Sequence, residues 1–351
     1  MIKLPLALLV ALAAPTPALA QALTPTERAA IDTLVAKELA ASAVPSASIA
    51  VVRGGRIVLA KAYGRASPTI PVARPDLPYQ IASNSKQFTA MALLLLEDDG
   101  KLSLDDKVAK YLPDVSGGDR ITLRQLLSHT AGLQDYWPQD YSFAAMARPV
   151  TPRAIVDIWG HKPLDFVPGT LWQYSNTGYV VAGMIVEQVS GEPLLAFLRR
   201  RLFTPLGMSS VIDLDDSNGP GFPAGYGRNA LGPVRVEPPA ARGWLYAAGE
   251  LSMTASDLAK WDIARIERAL VPADDWAEQE RSVRLADGSD THYGLGVQLR
   301  ERDGRRIVSH GGESVGFLST NVVYPAEKAA VVVLTNSWSG KAYGAIASGI
   351  A

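Results

Sequence analysis

The chain has 351 residues, of which 48% are hydrophobic and 20% charged, the composition of a globular protein long enough to bury a sizeable core. Its 34 Lys and Arg residues nearly balance 35 Asp and Glu residues, and the charges are scattered, so nothing indicates a nucleic-acid partner or binding to an acidic membrane surface. The sequence contains no cysteine, which excludes disulfides, a lipid-anchored cysteine and cysteine-based nucleophiles or metal sites.

The first twenty residues, MIKLPLALLVALAAPTPALA, have the pattern of a secretory signal peptide. Lys3 supplies the positive start, residues 4–14 form an apolar stretch too short to span a bilayer, and Ala18-Leu19-Ala20 is a small-x-small cleavage site. We therefore predict cleavage after Ala20, a secreted or periplasmic protein, and no stable membrane span after cleavage. The alternative is an uncleaved anchor.

The mature chain is predicted to begin with a helix. Thr24 can cap it, Pro25 suits the first helical position, and Glu27 completes a capping box. Two strands joined at Gly54-Gly55 follow as a hairpin.

The middle of the chain is richer in helical patterns, and the end is richer in strands. Helices are predicted over residues 103–112, 122–128, 177–190, 194–203 and 256–269, and strands over residues 293–299, 305–310, 320–325 and 329–336. This order predicts an α/β (α+β) fold, in which an antiparallel sheet built from both termini is flanked by helices and carries a mostly helical lobe. The expected division of residues 21–351 is an α/β lobe from about 21–100 and 241–351, and a helical lobe from about 101–240.

The stretch QIASNSKQFTAMALLLLEDDG, residues 80–100, places Ser83 three residues ahead of Lys86. On a helix this spacing puts both side chains on one face. A serine hydroxyl needs a base to become a nucleophile, and a lysine can act as that base if burial lowers its pKa. The apolar residues that follow suggest such burial. The alternative is a capping serine beside a solvated lysine.

Two further segments carry side chains suited to the same chemistry. Tyr174 and Asn176 lie two residues apart before an apolar helical run, so a phenol and an amide can point at one place. The phenol can relay protons if nearby cations lower its pKa, and the amide can hold a substrate carbonyl or orient the lysine. A strand also runs into His310-Gly311-Gly312, where the glycines indicate close approach by another group.

Taken together, these three segments resemble the motifs of the serine β-lactamase and penicillin-binding-protein family, especially its class C β-lactamase and DD-peptidase branch. Ser83-Asn84-Ser85-Lys86 is similar to the first motif, Tyr174-Ser175-Asn176 to the second and His310-Gly311-Gly312 to the third. Supporting segments at 126–133, 166–176, 202–208, 249–261 and 293–299 extend the resemblance over residues 44–336.

The resemblance implies a β-lactamase/transpeptidase-like fold and a metal-free acyl-enzyme mechanism without cofactors, with hydrolysis or transfer of the acyl group to another acceptor. Ser83 would be acylated, and Lys86 and Tyr174 would share the acid and base work. Asn176, His310, Gly311 and Gly312 would contact the substrate. The backbone N–H groups of Ser83 and Glu313 would form the oxyanion hole.

One departure bears on the substrate. Most relatives open the third motif with a lysine that holds a substrate carboxylate, whereas this chain has His310, as do some DD-peptidases, D-aminopeptidases and esterases. Histidine is charged for only part of the time near neutral pH. The predicted substrate is therefore a small molecule or peptide with a D-residue, cell-wall fragments among the candidates, or an ester. A class C-like β-lactamase is the alternative.

Other interpretations carry less weight. Gly312-Glu313-Ser314-Val315-Gly316 matches the G-x-S-x-G elbow, but a strand is predicted after Ser314 and no histidine follows it. His129 is interpreted as a structural loop residue, and no dense His/Asp motif indicates a metal site. A non-catalytic module that binds cell-wall fragments is a rival of another class, although such a module would be expected to lose Ser83, Lys86 or Tyr174.

Overall fold

The computed structural model describes residues 22–137, 143–228, 232–338, 340 and 342–351. The predicted signal peptide lies outside the described residues, so its cleavage stays a prediction. Among the described residues, no single helix is both long and apolar enough to cross a bilayer; the segments 176–190 and 194–203 reach that length together but are bent by 71°.

The centre of the fold is a six-stranded sheet with the order β2-β1-β11-β10-β9-β8, in which all neighbours pair antiparallel. Its strands come from both ends of the chain, which confirms the predicted architecture. In chain order the strands are β1 Ser46–Arg53, β2 Arg56–Gly64, β3 Tyr79–Gln80, β4 Ile212–Asp213, β5 Tyr226–Gly227, β6 Arg235–Val236, β7 Leu251–Met253, β8 Gln298–Arg302, β9 Arg305–Ser314, β10 Phe317–Tyr324 and β11 Ala329–Thr335.

Helices flank this sheet and fill the middle of the chain. They are α1 Pro25–Ser42, α2 Lys86–Asp98, α3 Leu123–Leu127, α4 Phe143–Met146, α5 Pro152–Ile155, α6 Asn176–Ser190, α7 Leu194–Leu198, α8 Ala255–Glu267, α9 Ala273–Gln279 and α10 Ala342–Ile350. The predicted capping box of α1 is present, because Thr24 and Glu27 each accept from the other's backbone N–H.

Alternation along β1 builds two cores. Ile49 and Val51 belong to the cluster that α1 and α10 cover, whereas Ala50 and Val52 face the larger cluster that includes α2 and α8. A strand with apolar residues on both faces is expected when helices cover both sides of the sheet. The division into two lobes at the predicted boundaries stays a prediction.

Two predicted elements are wrong. Residues 103–112 form turns and a short 3₁₀ segment rather than a helix, because a neighbouring loop takes backbone donors that a helix would use internally: the Val108 N–H donates to the Ile121 carbonyl and the Ala109 N–H to the Gly118 carbonyl. In the segment 293–299, the strand starts only at Gln298. Gly296 has a φ of 75°, which interrupts extended structure.

Helix α2 positions the site. Its residues from Lys86 to Leu96 are all buried, and it packs against α6, α7 and α9. The 3₁₀ turn Ala82–Ser85 that leads into α2 contacts β9 and β10. The start of α2 is therefore held between the sheet and the helices.

Candidate active site

Ser83 lies in the 3₁₀ turn Ala82–Ser85, which comes immediately before the first residue of α2, Lys86. In 3₁₀ geometry, side chains at positions i and i+3 eclipse one another, so Ser83 and Lys86 meet as the spacing predicts. The preceding residue, Ala82, has a φ of 48°, a left-handed conformation that is strained for a residue with a Cβ. The turn thus presents the half-buried Ser83 hydroxyl to a cavity.

The Lys86 side chain is fully buried and has three oxygen partners. Its Nζ donates to Ser83 Oγ at 3.0 Å, to Asn176 Oδ1 at 2.8 Å and to the Ala248 carbonyl at 2.6 Å. These partners satisfy all three N–H groups of an ammonium. In the neutral amine, Asn176 and Ala248 still accept two N–H bonds, and the lone pair then points at the Ser83 hydroxyl.

Burial also adjusts the acidity of Lys86. Desolvation lowers its pKa from 10.5 to about 7, against the opposing charge of Asp135. A substantial fraction of Lys86 is therefore neutral near pH 7, as a general base requires.

Asp135 is a site residue that the sequence analysis missed. Its two carboxylate oxygens accept from Asn176 Nδ2 at 3.2 and 3.0 Å, and it is only 4% exposed. Because the amide nitrogen of Asn176 faces Asp135, the amide oxygen must face Lys86. The only signal in the sequence is an acidic residue shortly after the segment 126–133, and that signal does not indicate a role.

Tyr174 lies beside this pair, with its ring centroid 4.9 Å from Lys86 Nζ and its phenol interacting with the Ser83 side chain. Burial raises the pKa of Tyr174 well above its ordinary value. A proton relay through this phenol was expected to need a pKa lowered by nearby cations, but desolvation is the largest effect and the charge of Asp135 also raises the pKa. Tyr174 is therefore a protonated phenol at rest and can donate to Ser83 or to a leaving group.

The third motif lies on β9 where the strand loses a neighbour. The pairing with β8 ends at Gln298 opposite Ser309, so the edge of β9 from His310 onward borders the cavity. Gly312 is needed for close packing, because a Cβ there would lie 2.0 Å from the Ile81 carbonyl oxygen. The predicted close approach is therefore present at Gly312 but not at Gly311, where a Cβ would meet nothing nearer than the Ser319 carbonyl oxygen at 3.8 Å.

His310 is only 3% exposed, and both of its ring nitrogens have partners. Nε2 lies 2.8 Å from the Tyr293 hydroxyl, and Nδ1 bonds the Gly311 carbonyl. Burial and the charge of Lys86 lower the pKa of His310 to about 3. His310 is therefore neutral near pH 7, whereas the sequence predicted that a fraction of it would be protonated.

These elements enclose a cavity of about 370 Å³. Every predicted site residue except Lys86 lines it, and Lys86 lies directly behind Ser83. Predicted lining residues are Ser83, Tyr174, Asn176, His310, Gly311, Gly312 and Glu313. The arrangement places a hydroxyl, a base and a phenol at one wall, opposite a strand edge that can bind an extended substrate.

The rejected nucleophile, Ser314, is buried in β9, where its Oγ donates to Gln80 Oε1 at 2.7 Å. Strand β10 follows it, as predicted, rather than the helix of a G-x-S-x-G elbow.

His129 is buried with a φ of 62°, and the centroid of its ring lies 4.2 Å from that of the Tyr174 ring. Its contacts agree with a structural role.

Away from the cavity, the exposed side chains of Asp114, Asp157 and His161 lie close enough together to share a cation. However, the Arg153 guanidinium pairs with both carboxylates. A positive charge thus already pairs with both carboxylates that a cation would bind.

Comparisons with known proteins identify the family and the fold. The family model described as Beta-lactamase matches residues 31–349. Penicillin-binding protein 4* of Bacillus subtilis (strain 168) is 29% identical over 306 residues, which cover 82% of this chain and 67% of that protein.

Two solved structures share the fold over nearly their whole length. The D-stereospecific amidohydrolase from Streptomyces sp. is 27% identical with a TM-score of 0.77, covering 92% of this chain and 98% of that one. The D-amino acid amidase from Ochrobactrum anthropi SV3, complexed with L-phenylalanine amide, is 26% identical with a TM-score of 0.78. The match covers 93% of this chain and 95% of that one. Since the family model covers most of the sequence, this chain belongs to the beta-lactamase family and is a serine hydrolase.

Proposed function

We propose that this protein is an exported hydrolase that forms an acyl-enzyme on Ser83 and cleaves amides or esters of D-amino acids that carry a free amino group. The observation that carries the proposal is the position of Lys86. Lys86 Nζ makes three hydrogen bonds: two are to Asn176 Oδ1 and the Ala248 carbonyl, and the third is to Ser83 Oγ.

In the first half of the reaction, neutral Lys86 takes the proton from Ser83 while Oγ attacks the substrate carbonyl carbon. The backbone N–H groups of Ser83 and Glu313 are the proposed donors to the oxyanion. As the C–N or C–O bond breaks, the Tyr174 phenol gives its proton to the leaving group and regains one from the Lys86 ammonium. Water then attacks the acyl carbonyl, its proton returns through the same groups, and Ser83 leaves as the free hydroxyl.

The charge of the cavity favours an ammonium-bearing substrate. Asp135 and Glu313 line it, and none of its described lining residues is lysine or arginine. Neutral His310 adds no positive charge. A substrate carboxylate, as in a penicillin or a peptide with a free C-terminus, would meet the side chains of Asp135 and Glu313, with the partly charged Lys86 behind Ser83 as the one cation beside the described lining. An α-ammonium group would find opposite charge at the two acidic side chains. The names of the two structural relatives, an amidohydrolase and an amidase for D-substrates, support the same class.

The test is turnover of D-phenylalanine amide, L-phenylalanine amide, N-acetyl-D-phenylalanine amide and a penicillin, with intact-mass analysis of the protein in the same samples. We expect the free D-amide to be the best substrate, and acetylation of its amine to lower kcat/KM by about 10-fold or more, since that removes about 1.4 kcal/mol of charge interaction. Ser83→Ala should lose nearly all turnover.

Other results would contradict the nucleophile, the substrate preference or the catalytic activity itself. Turnover by Ser83→Ala at the wild-type rate would overturn the nucleophile. Equal cleavage of the acetylated amide would overturn the ammonium preference. Hydrolysed penicillin in place of amide cleavage would establish the β-lactamase alternative, and binding without any turnover would establish the non-catalytic module.

The location is proposed from residues 1–20 alone. If they form a cleaved signal peptide, the mass of the protein recovered from the periplasm or medium should correspond to a chain that starts at Gln21. A cytoplasmic protein that retains its first residues would contradict export.

A further inference from the structure

Three buried rings form a hydrogen-bonded chain that reaches the cavity at His310. His129 follows α3, Tyr293 precedes β8, and His310 lies on β9; their exposures are 1%, 1% and 3%. The ring centroids of His129 and Tyr293 are 4.9 Å apart, and those of Tyr293 and His310 are 5.9 Å apart. The chain of rings therefore joins segments that are distant in sequence.

The direction of every proton in this chain follows from its first bond. The Ser175 backbone N–H donates to His129 Nδ1 at 3.1 Å. A backbone amide can only donate, so Nδ1 carries no proton, and His129 must be a neutral ring with its proton on Nε2.

That proton determines the next two bonds. His129 Nε2–H donates to the Tyr293 hydroxyl oxygen at 3.2 Å, which leaves the hydroxyl proton free to be donated to His310 Nε2 at 2.8 Å. His310 Nε2 is therefore an acceptor, and the proton of this ring lies on Nδ1, where it is donated to the Gly311 carbonyl. The two buried histidines are thus opposite tautomers.

We propose that Tyr293 is a positioning residue that holds His310 as the neutral Nδ1–H tautomer, and through it fixes the Gly311 carbonyl at the edge of the substrate cleft. The Ser175 N–H belongs to the turn that carries Tyr174 and Asn176. The chain of rings therefore fixes the orientation of the strand edge relative to the wall that carries the phenol and the amide.

The neighbouring groups favour the same state. Lys86 acts electrostatically on both histidines and disfavours a second positive charge, and the Tyr174 ring centroid lies 6.3 Å from that of His310. Tyr179, next to Tyr293, donates its own hydroxyl to the Leu127 carbonyl at 2.7 Å. Its oxygen also interacts with the Tyr293 hydroxyl, but the imidazole nitrogen of His310, 2.8 Å away, is the stronger acceptor for the Tyr293 proton.

The tautomers can be measured without a substrate, by two-bond ¹H–¹⁵N spectra of the histidine rings between pH 5 and 8. The chain has four histidines, and the exposed His161 and His292 can be assigned by His161→Gln and His292→Gln. We expect the remaining two rings to stay neutral over this range, one protonated on Nε2 and the other on Nδ1. Two rings of the same tautomer, or a titrating ring, would overturn the proposal.

A variant then tests the role of Tyr293, a step that rests on the proposed function. Tyr293→Phe should make the His310 tautomers mix or let the ring titrate, and should lower kcat by about 10-fold with KM nearly unchanged. The matched control is Tyr79→Phe, which also removes a buried hydroxyl, one that bonds Ser46 Oγ at 2.8 Å in the core.

The control should leave both the spectra and kcat as in the wild type. If Tyr293→Phe behaves like the control, Tyr293 has no positioning role. If the substrate class proposed above is wrong, the ring spectra still decide the tautomers, so the two failures are distinguishable.

Discussion

At the residue scale, the chemistry depends on Lys86, whose pKa is lowered by burial. Desolvation disfavours the ammonium form of Lys86, while the buried carboxylate of Asp135 favours it. The net result is a pKa of about 7, which leaves both forms populated at neutral pH. Asp135 therefore has two effects on Lys86: it adjusts the charge directly, and it orients the Asn176 amide that Lys86 bonds.

This balance predicts the pH dependence of the reaction. Since Lys86 must be neutral to act as base, kcat/KM should rise with pH through a limb near 7. In Asp135→Asn the negative charge is lost, the ammonium is less favoured, and the limb should move to lower pH, with a lower plateau because Asn176 is no longer held in one orientation. The measurement is the pH profile of kcat/KM for the best amide substrate.

The exposed Asp119, whose side chain is 80% exposed, offers the control. Asp119→Asn should reproduce the wild-type profile. A limb that moves to higher pH in Asp135→Asn would contradict the assignment of the limb to Lys86.

At the element scale, the site depends on contact between β9 and the turn that carries Ser83. Ser319 Oγ on β10 donates to the Ile81 carbonyl at 2.7 Å and accepts from Asn84 Nδ2 at 2.8 Å. Gly312 lies against these atoms, and a Cβ there would be 2.0 Å from Ile81 O and 2.3 Å from Ser319 Oγ. The strand can approach the turn only because this position has no side chain.

We therefore expect Gly312→Ala to separate β9 from the turn. Overpacking of this kind costs about 1–3 kcal/mol of unfolding free energy, and displacement of the strand edge should also lower kcat/KM. The adjacent Gly311→Ala is a matched control, since its Cβ would meet nothing closer than the Ser319 carbonyl oxygen at 3.8 Å. Urea denaturation of the two variants compares them. Equal losses of stability in the two variants would show that the close contact of Gly312 with Ile81 and Ser319 is not the reason for a glycine at position 312.

At the scale of the whole molecule, a buried charge network joins helices that lie far apart in the chain. Arg265 on α8 is fully buried; it donates to Glu280 Oε1 at 3.0 Å and, through Nη2, to Gln87 Oε1 on α2 at 3.0 Å and Gln279 Oε1 on α9 at 2.7 Å. Its guanidinium also lies 4.9 Å from the Trp276 ring centroid. One side chain thus connects the helix that starts at Lys86 to two others.

Removing that side chain should destabilise the molecule as a unit. Arg265→Met leaves Glu280 with Arg268 and Arg306 as partners. However, it removes a donor to the buried amide oxygens of Gln87 and Gln279. An unsatisfied buried polar group typically costs about 1–3 kcal/mol. The control is Arg281→Met, which removes an arginine whose side chain is 71% exposed in its pair with Glu278 and should have a much smaller effect. Thermal unfolding measures both. A stability loss in Arg265→Met no greater than in the control would contradict a structural role for the network.

The sequence by itself determined the features that depend on neighbouring residues. The capping box at Thr24, the strand pattern at both ends and the three-residue spacing of Ser83 and Lys86 are local, so they could be predicted before any contact was known. The helix predicted over 103–112 failed because the N–H groups of Val108 and Ala109 donate to carbonyls of the loop at 118–121, a tertiary contact that periodicity does not reveal.

Only the tertiary structure decided how acidic each group is and which way each hydrogen bond points. The Ala248 carbonyl that orients Lys86 is 162 positions away in sequence, and Asp135 and Tyr293 occupy segments without any catalytic signature of their own. A pKa depends on burial and on the charges around a group. Folding sets both, and so it made Lys86 a base, kept Tyr174 protonated and left His310 neutral.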